Sequence, residues 1–195
     1  MTLTEGLIQE HNAIEEMLSI MSKIARNIQK DKEFDTGDVE KIIDFLRTFA
    51  DKCHHGKEET GLFPALVLIG IPEDNDRVDV MLQEHNVGRG YINGLIAGVE
   101  DYKKNFTTSY GLVSACLTNY VNLLHSHIQK EEDVLFPIAD KVLSEQKRNE
   151  ILEQFKIIEE EVRGHADIEQ YHELLKQLKI KYIDSASRKN TPGTN

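Results

Sequence analysis

Tryptophan is absent from this chain of 195 residues, only two cysteines occur, and no apolar run is long. A transmembrane helix needs about 20 apolar residues, so the sequence predicts no membrane partner. Cys53 and Cys116 are far apart, whereas a secreted chain of this size more often carries a spaced framework of disulfides. The N-terminus has neither a basic start nor an apolar segment, so no signal peptide is expected. These absences predict a cytoplasmic protein.

The charge of the chain is strongly acidic, with a formal net value of -11. Nucleic acids and anionic membrane surfaces attract basic proteins, so neither is expected as a partner. Hydrophobic residues make up 39% of the chain and charged residues 29%, which is enough to build one core in one domain.

Apolar residues recur at intervals of three and four, which is typical of helices, and signals for strands are weak. The pattern predicts helices from Leu3 to about Ile28, from Asp38 onwards, from Asp76 to Tyr102 and across 112–128, followed by helical segments at 144–162 and 167–178. Thr2 and Glu5 can form a capping box at the first start. We therefore predict an all-α fold.

Two motifs recur in the same order. QEHN at residues 9–12 returns at 83–86, and HHGKEETGLFP at 54–64 returns as HIQKEEDVLFP at 127–137. A repeat of helical hairpins predicts a four-helix bundle with a pseudo-two-fold axis. We assign residues 1–142 to this bundle, 143–180 to C-terminal helices packed on it, and 181–195 to a disordered tail.

The repeated motifs carry metal-binding side chains. A histidine and a glutamate four residues apart share one face of a helix, and each copy of the longer motif contains such a pair. Each shorter motif adds one imidazole. Six predicted ligands thus converge inside the bundle: His11, His54, Glu58, His85, His127 and Glu131.

This set of donors suits two metal ions better than one. Each ion would take two histidines, both glutamates would bridge, and a shared oxo or hydroxo group would leave an open position. Mixed imidazole and carboxylate ligation of this kind is typical of non-haem iron, whereas structural zinc prefers a closed tetrahedral site. Any one pair alone would be read as a surface ion pair or a core histidine. The recurrence of both motifs favours the metal.

Neighbouring residues define the alternatives. Glu10 and Glu84 are expected behind the ligands or in solvent, and His55, Glu59 and Glu132 are expected to point aside. A slipped register, with His55 and Glu59 as ligands, is the competing assignment. The residues after each glutamate predict an apolar wall: Leu62, Phe63, Leu135 and Phe136.

Other candidates lie outside this set. His165 and His172 are interpreted as surface histidines rather than a second metal site. Glu159 could turn inward as a gate, although a solvated helix face is the simpler interpretation. Cys53 is expected to be a small buried residue, with a redox-sensitive thiol as the alternative.

The motifs resemble those of the hemerythrin family in its HHE cation-binding form, over roughly residues 1–142. The resemblance implies an up-and-down four-helix bundle with a bridged di-iron centre. Oxygen-carrying hemerythrins have a second histidine where this chain has Arg89, and an aspartate five residues after the fourth-helix histidine, where Glu131 here follows after four. The set is similar instead to di-iron proteins of iron-sulfur cluster repair and to F-box iron sensors.

Three functions follow from this pattern. The first is binding or sensing of oxygen or nitric oxide. The second is an enzyme that reduces oxygen, peroxide or nitric oxide with electrons from a redox partner protein. The third is iron handling, including cluster repair. We favour the first, because no acid–base group stands out beside the predicted ligands.

Overall fold

A computed structural model of the chain describes residues 2–70, 72–104, 107–164 and 168–185. These residues are helical apart from short turns, and no strand occurs among them, which confirms the predicted all-α fold. No helix within these ranges is both long enough and apolar enough to cross a membrane.

The α-helices, in chain order, are α1 (Leu3–Asp31), α2 (Thr36–Phe45), α3 (Phe63–Ile69), α4 (Pro72–Lys103), α5 (Tyr110–Lys130), α6 (Phe136–Val142), α7 (Glu145–Arg163) and α8 (Ile168–Lys179). Wider π-helical turns occupy Leu46–His55, Glu58–Leu62, Glu131–Leu135 and Ile180–Asp184, and a 3₁₀ turn occupies Thr107–Ser109. The π turns join α2 to α3 and α5 to α6. The first part of the chain therefore forms helical stretches at 3–31, 36–69, 72–103 and 110–142.

The start of α1 is fixed by the predicted capping box. The Glu5 amide donates to Thr2 Oγ1 at 3.2 Å, and the Thr2 amide donates to Glu5 Oε2 at 2.7 Å. These two bonds satisfy amide groups that a helix leaves without partners at its N-terminus. The helix ends where Lys32 adopts a left-handed conformation with φ of 61°.

The two prolines of the repeated motif lie directly after π-helical turns. Pro64 falls in the first turn of α3 and Pro137 in the first turn of α6. Proline lacks an amide donor and normally breaks a helix, but the first turn needs no such donor. Each stretch therefore continues past its proline. The same π turns also carry two of the candidate ligands, Glu58 and Glu131.

The helical stretches form a bundle with two apolar clusters. α5 packs against α1 and α4, and α4 packs against α2 and α3. One cluster includes Ile14, Met17, Phe45, Leu46, Leu95, Leu117 and Tyr120. The other includes Leu3, Leu7, Leu62, Phe63, Met81, Leu135 and Phe136. His11 lies between Leu7 of the second cluster and Ile14 of the first. The bundle therefore has a buried polar layer at the level of His11, with an apolar cluster on each side of it.

The C-terminal helices pack on the outside of this bundle. α7 contacts α1 and the π turns at Leu46–His55 and Glu58–Leu62, and α8 contacts α1 and α2. Gly61 makes this approach feasible, because a Cβ there would lie 2.9 Å from Phe155 Cε1. The second copy of the motif has Val134 at the equivalent position. The predicted boundary between bundle and C-terminal helices stays a prediction.

The first residues of the predicted tail are helical. Residues 181–184 belong to a π-helical turn instead of a disordered segment. Lys181 Nζ donates to Asp35 Oδ2 at 2.8 Å, and the Tyr182 hydroxyl donates to Asp38 Oδ2 at 2.7 Å. These bonds tie residues 181 and 182 to the start of α2. Residues 186–195 lie outside the described residues.

The substitution Gly61→Val introduces the residue that the second copy has at this position. It should lower the free energy of unfolding by about 1–3 kcal/mol, because the new side chain would overlap α7. Urea denaturation measures this change. Gly90→Ala serves as the control: it lies in α4 with no neighbour within 4 Å, so it should raise stability by about 0.5–1 kcal/mol. Equal effects of the two substitutions on stability would contradict the conclusion that Gly61 allows α7 to pack closely.

Candidate metal centre

The six predicted ligands meet in one buried layer. Their exposed fractions are all 0–1%. α1 supplies His11, the second helical stretch supplies His54 and Glu58, α4 supplies His85, and the last stretch supplies His127 and Glu131. Residues that are far apart in the chain thus share a single interior point, as the repeat predicted.

Each glutamate faces two histidines from different helices. Glu131 Oε2 lies 3.2 Å from His11 Nε2, and its Oε1 lies 3.2 Å from His127 Nε2. Glu58 Oε1 lies 3.3 Å from His54 Nε2, and its Oε2 lies 3.5 Å from His85 Nε2. Both carboxylates are therefore placed to bridge two positions.

The donor atoms form two groups, within each of which they lie no more than 4.8 Å apart. Half-site A contains His11, His54, Glu58 and Glu131, and half-site B contains His55, His85, His127 and Glu58. In half-site B, the Nε2 atoms of His85 and His127 are 3.1 Å apart. Neighbouring ligands of one ion, with bonds of about 2.1 Å at right angles, would lie about 3 Å apart. The spacing fits a metal ion in each half-site.

The electrostatics of the layer also favour cations. All four carboxylate oxygens of Glu58 and Glu131 are buried without a hydrogen-bond partner among the described residues. Burial and the adjacent Glu131 raise the pKa of Glu58 well above its usual range. Burial acts in the same direction on Glu131, but His127 and His11 outweigh it and lower that pKa well below its usual range. Two buried carboxylates this close are stabilised when positive charge lies between them.

The histidines are oriented from behind by carboxylates. Each Nδ1 lies within hydrogen-bond distance of one carboxylate: His54 with Glu10 at 2.9 Å, His85 with Glu59 at 2.7 Å, His127 with Glu84 at 3.0 Å and His11 with Glu132 at 2.8 Å. Each pair joins two different helical stretches, and together the pairs form a closed ring around the bundle. A carboxylate on Nδ1 leaves Nε2 available to a metal and raises its basicity.

Three of these outer carboxylates are held by cations. Lys57 donates to Glu10 and Lys130 to Glu84, which are equivalent contacts in the two copies. Arg89 Nη2 donates to Glu59 Oε1 at 2.6 Å. Arg89 thus contacts the layer indirectly, through the carboxylate partner of His85.

His55 differs from the expectation. It was predicted to point aside, but its exposed fraction is only 3% and its donor atom belongs to half-site B. The π-helical turn at Leu46–His55 is the physical reason, because its wider turn changes the angle between successive side chains, so both His54 and His55 face inward. Glu59, the other ligand in the slipped register, lies behind His85, with Oε1 2.7 Å from His85 Nδ1.

A signal for His55 was present in the repeat. Its equivalent in the second copy is Ile128, which is apolar and buried. An apolar residue at that place marks the position as facing inward. Burial and the neighbouring His85 lower the pKa of His55 well below its usual range, so the ring is neutral and able to bind a metal.

The predicted apolar wall encloses the layer. Phe63 stacks on His85 with ring centroids 5.9 Å apart, and Phe136 stacks on His11 at 5.4 Å. Leu62 and Leu135 are also buried. The LFP sequence of each copy thus covers a histidine from another helical stretch and keeps water away from it.

The remaining candidates lie apart from the centre. Glu159 accepts a hydrogen bond from Lys57 at 2.6 Å, so it supports the outer layer and does not turn into the site. Cys53 is buried and forms no disulfide. His172 is exposed on α8, and His165 lies outside the described residues.

The helical bundle and its buried layer of histidines and glutamates are typical of cation-binding helical-bundle proteins. The chain belongs to the family described as the hemerythrin HHE cation-binding domain, whose model matches residues 2–139. This match includes all six predicted ligands and His55. It ends before α7 and α8.

Curated relatives of this chain include the uncharacterized proteins Rv1995 of Mycobacterium tuberculosis (strain H37Rv) and Mb2018 of Mycobacterium bovis. Each is 23% identical over 165 residues, which cover 85% of this chain and 64% of the relative. The chain therefore matches less than two thirds of the length of these relatives.

Glu58→Gln should remove metal binding without lowering the stability of the metal-free protein, because it relieves the proximity of two buried carboxylates. Metal analysis and thermal unfolding in the presence of a chelator measure the two effects. If Glu58 instead serves as a structural ion-pair partner, its loss should destabilise the metal-free protein by about 3–5 kcal/mol. Such a loss would contradict the assignment.

Proposed function

We propose that this protein binds two iron ions between Glu58 and Glu131 and uses them to bind or sense a small diatomic molecule, oxygen or nitric oxide. The observation that carries this proposal is the placement of each carboxylate between two histidines from different half-sites. No single ion would use all four carboxylate oxygens in this arrangement.

The choice of iron follows from the chemistry of the donors. The six predicted ligands offer four imidazoles and four carboxylate oxygens for a pair of ions. Non-haem iron accepts this mixture and more than four ligands, whereas structural zinc is satisfied by four. Iron held by these residues supplies a coordination position for a diatomic molecule.

The surroundings favour binding over catalysis. Within the described residues, every histidine and carboxylate at the cluster is either a candidate ligand or an Nδ1 partner of one. None is left in place to serve as a separate general acid. Phe63 and Phe136 exclude water from the histidines that they cover. A dry site without a separate acidic or imidazole group suits reversible binding of an uncharged molecule.

Protein purified without oxygen and loaded with ferrous iron should contain two iron ions per chain and change its visible absorption when oxygen or nitric oxide is added. The visible absorption should return to that of the ferrous protein when the gas is removed. Metal analysis and anaerobic optical titration measure both. Continuous consumption of oxygen or peroxide with an added reductant would favour the enzyme instead, and an irreversible loss of ferrous iron without an adduct would contradict binding.

His54→Ala and His127→Ala each remove one imidazole from a different half-site, so each should halve the iron content or empty the centre. Each should also lower the thermal stability of the iron-loaded protein, because metal binding contributes to folding. His125→Ala is the control, since this histidine is 57% exposed and pairs with Glu15 at the surface. Unchanged iron in both ligand variants would contradict the assignment.

A further inference from the structure

Two lysines hold outer carboxylates at equivalent positions of the two copies, but their surroundings differ. Lys57 donates to Glu10, and Lys130 donates to Glu84. The exposed fraction of the side chain is 4% for Lys57 and 39% for Lys130. Lysine is rarely buried unless its charge is paired, so the burial of Lys57 points to a partner that the second copy lacks.

Helix α7 provides this additional partner. Glu159 Oε1 accepts a second hydrogen bond from Lys57 Nζ at 2.6 Å, and the centroid of the Phe155 ring lies 5.7 Å from the same nitrogen. Among the residues that the structure describes, Lys130 pairs with Glu84 alone. In the first copy, one buried ammonium group thus joins a carboxylate of α1 to a carboxylate of α7.

The motif of the first copy also accommodates α7. A Cβ on Gly56 would be in van der Waals contact with Ile158, at 3.7 Å from Cγ2, and a Cβ on Gly61 would meet α7 at a shorter distance still. The second copy has the larger residues Gln129 and Val134 at these positions. The two glycines therefore leave room for α7 on the outer side of the first hairpin.

A chain of contacts leads from α7 to one candidate ligand. The two oxygens of Glu10 have different partners: Oε1 accepts from Lys57, and Oε2 lies 2.9 Å from His54 Nδ1. A carboxylate on Nδ1 orients the imidazole and makes its Nε2 a stronger ligand for a cation. Lys57 fixes this carboxylate, and Glu159 fixes Lys57. The family model ends at residue 139, so Glu159 lies outside the domain that the model matches.

We propose that Glu159 is a positioning residue for the metal ligand His54, and that it acts through Lys57 and Glu10. Cation binding at half-site A and packing of α7 then stabilise each other, because a coupling between two sites is reciprocal. The second hairpin lies outside this coupling, since its Lys130 has no partner on α7 among the described residues. The inference rests on the proposed metal centre, but it holds whichever small molecule that centre binds.

The first test compares amide hydrogen exchange in the full chain with and without ferrous iron, in the absence of oxygen. Iron should slow the exchange of the α7 amides by about 5-fold or more, the lower end of usual couplings between sites. In Glu159→Gln this slowing should be smaller, while the slowing in α8 should be unchanged. Equal slowing of α7 in the two proteins would overturn the proposal, whereas a failure to bind iron would contradict the proposed function itself.

The second test measures the affinity for ferrous iron by competition with a chromogenic chelator. Glu159→Gln should weaken the binding of one of the two ions by the same factor, because the coupling is reciprocal. Glu159 is 35% exposed, so this variant should fold. Glu153→Gln is the matched control on α7, since Glu153 is 69% exposed and pairs with Lys156 at the surface. An unchanged affinity in Glu159→Gln, or an equal loss in both variants, would overturn the proposal.

The third test uses the equivalent lysines of the two copies. Lys57→Met and Lys130→Met each remove the cation that holds an outer carboxylate, so each should weaken iron binding, but only Lys57→Met should speed hydrogen exchange in α7. Adding Glu159→Gln to Lys57→Met should cause no further loss of iron affinity, because the chain of contacts is already broken. Additive losses in the double variant, or faster exchange of α7 in Lys130→Met, would overturn the proposal.

Discussion

Two carboxylates buried side by side, with no hydrogen-bond partner among the described residues, are the constraint on which the rest of this structure depends. Glu58 and Glu131 are fully enclosed, and burying paired anions is costly unless positive charge lies between them. Apolar clusters enclose the two carboxylates from both sides. The protein is therefore built around an interaction that its own side chains leave incomplete and that metal cations would complete.

The duplication provides what this constraint requires. Each hairpin contributes one central carboxylate, two of the predicted imidazole ligands and two outer carboxylates, and each outer carboxylate reaches a histidine of a neighbouring stretch. The ring of pairs fixes the rings of the histidines before any metal arrives, so little reorganisation is needed on binding. α7 adds support from outside through Glu159 and Lys57, the lysine that holds Glu10.

The sequence predicted the helical bundle, the capping box at Thr2 and the convergence of the six candidate ligands, because repeated motifs and helical periodicity carry that information. It did not predict the orientation of His55. Helical spacing assumes 3.6 residues per turn, and the π turn at Leu46–His55 breaks this assumption where the site lies. Nor did the sequence predict the helical turn at residues 181–184, whose bonds go to Asp35 and Asp38, far away in the chain.

Anomalous X-ray diffraction from crystals of the iron-loaded protein, recorded at the iron absorption edge, tests the central claim most directly. Two peaks should lie between Glu58 and Glu131, one beside His11 and His54 and the other beside His85 and His127. A single peak, or peaks confined to the outer surface of the bundle, would contradict the account.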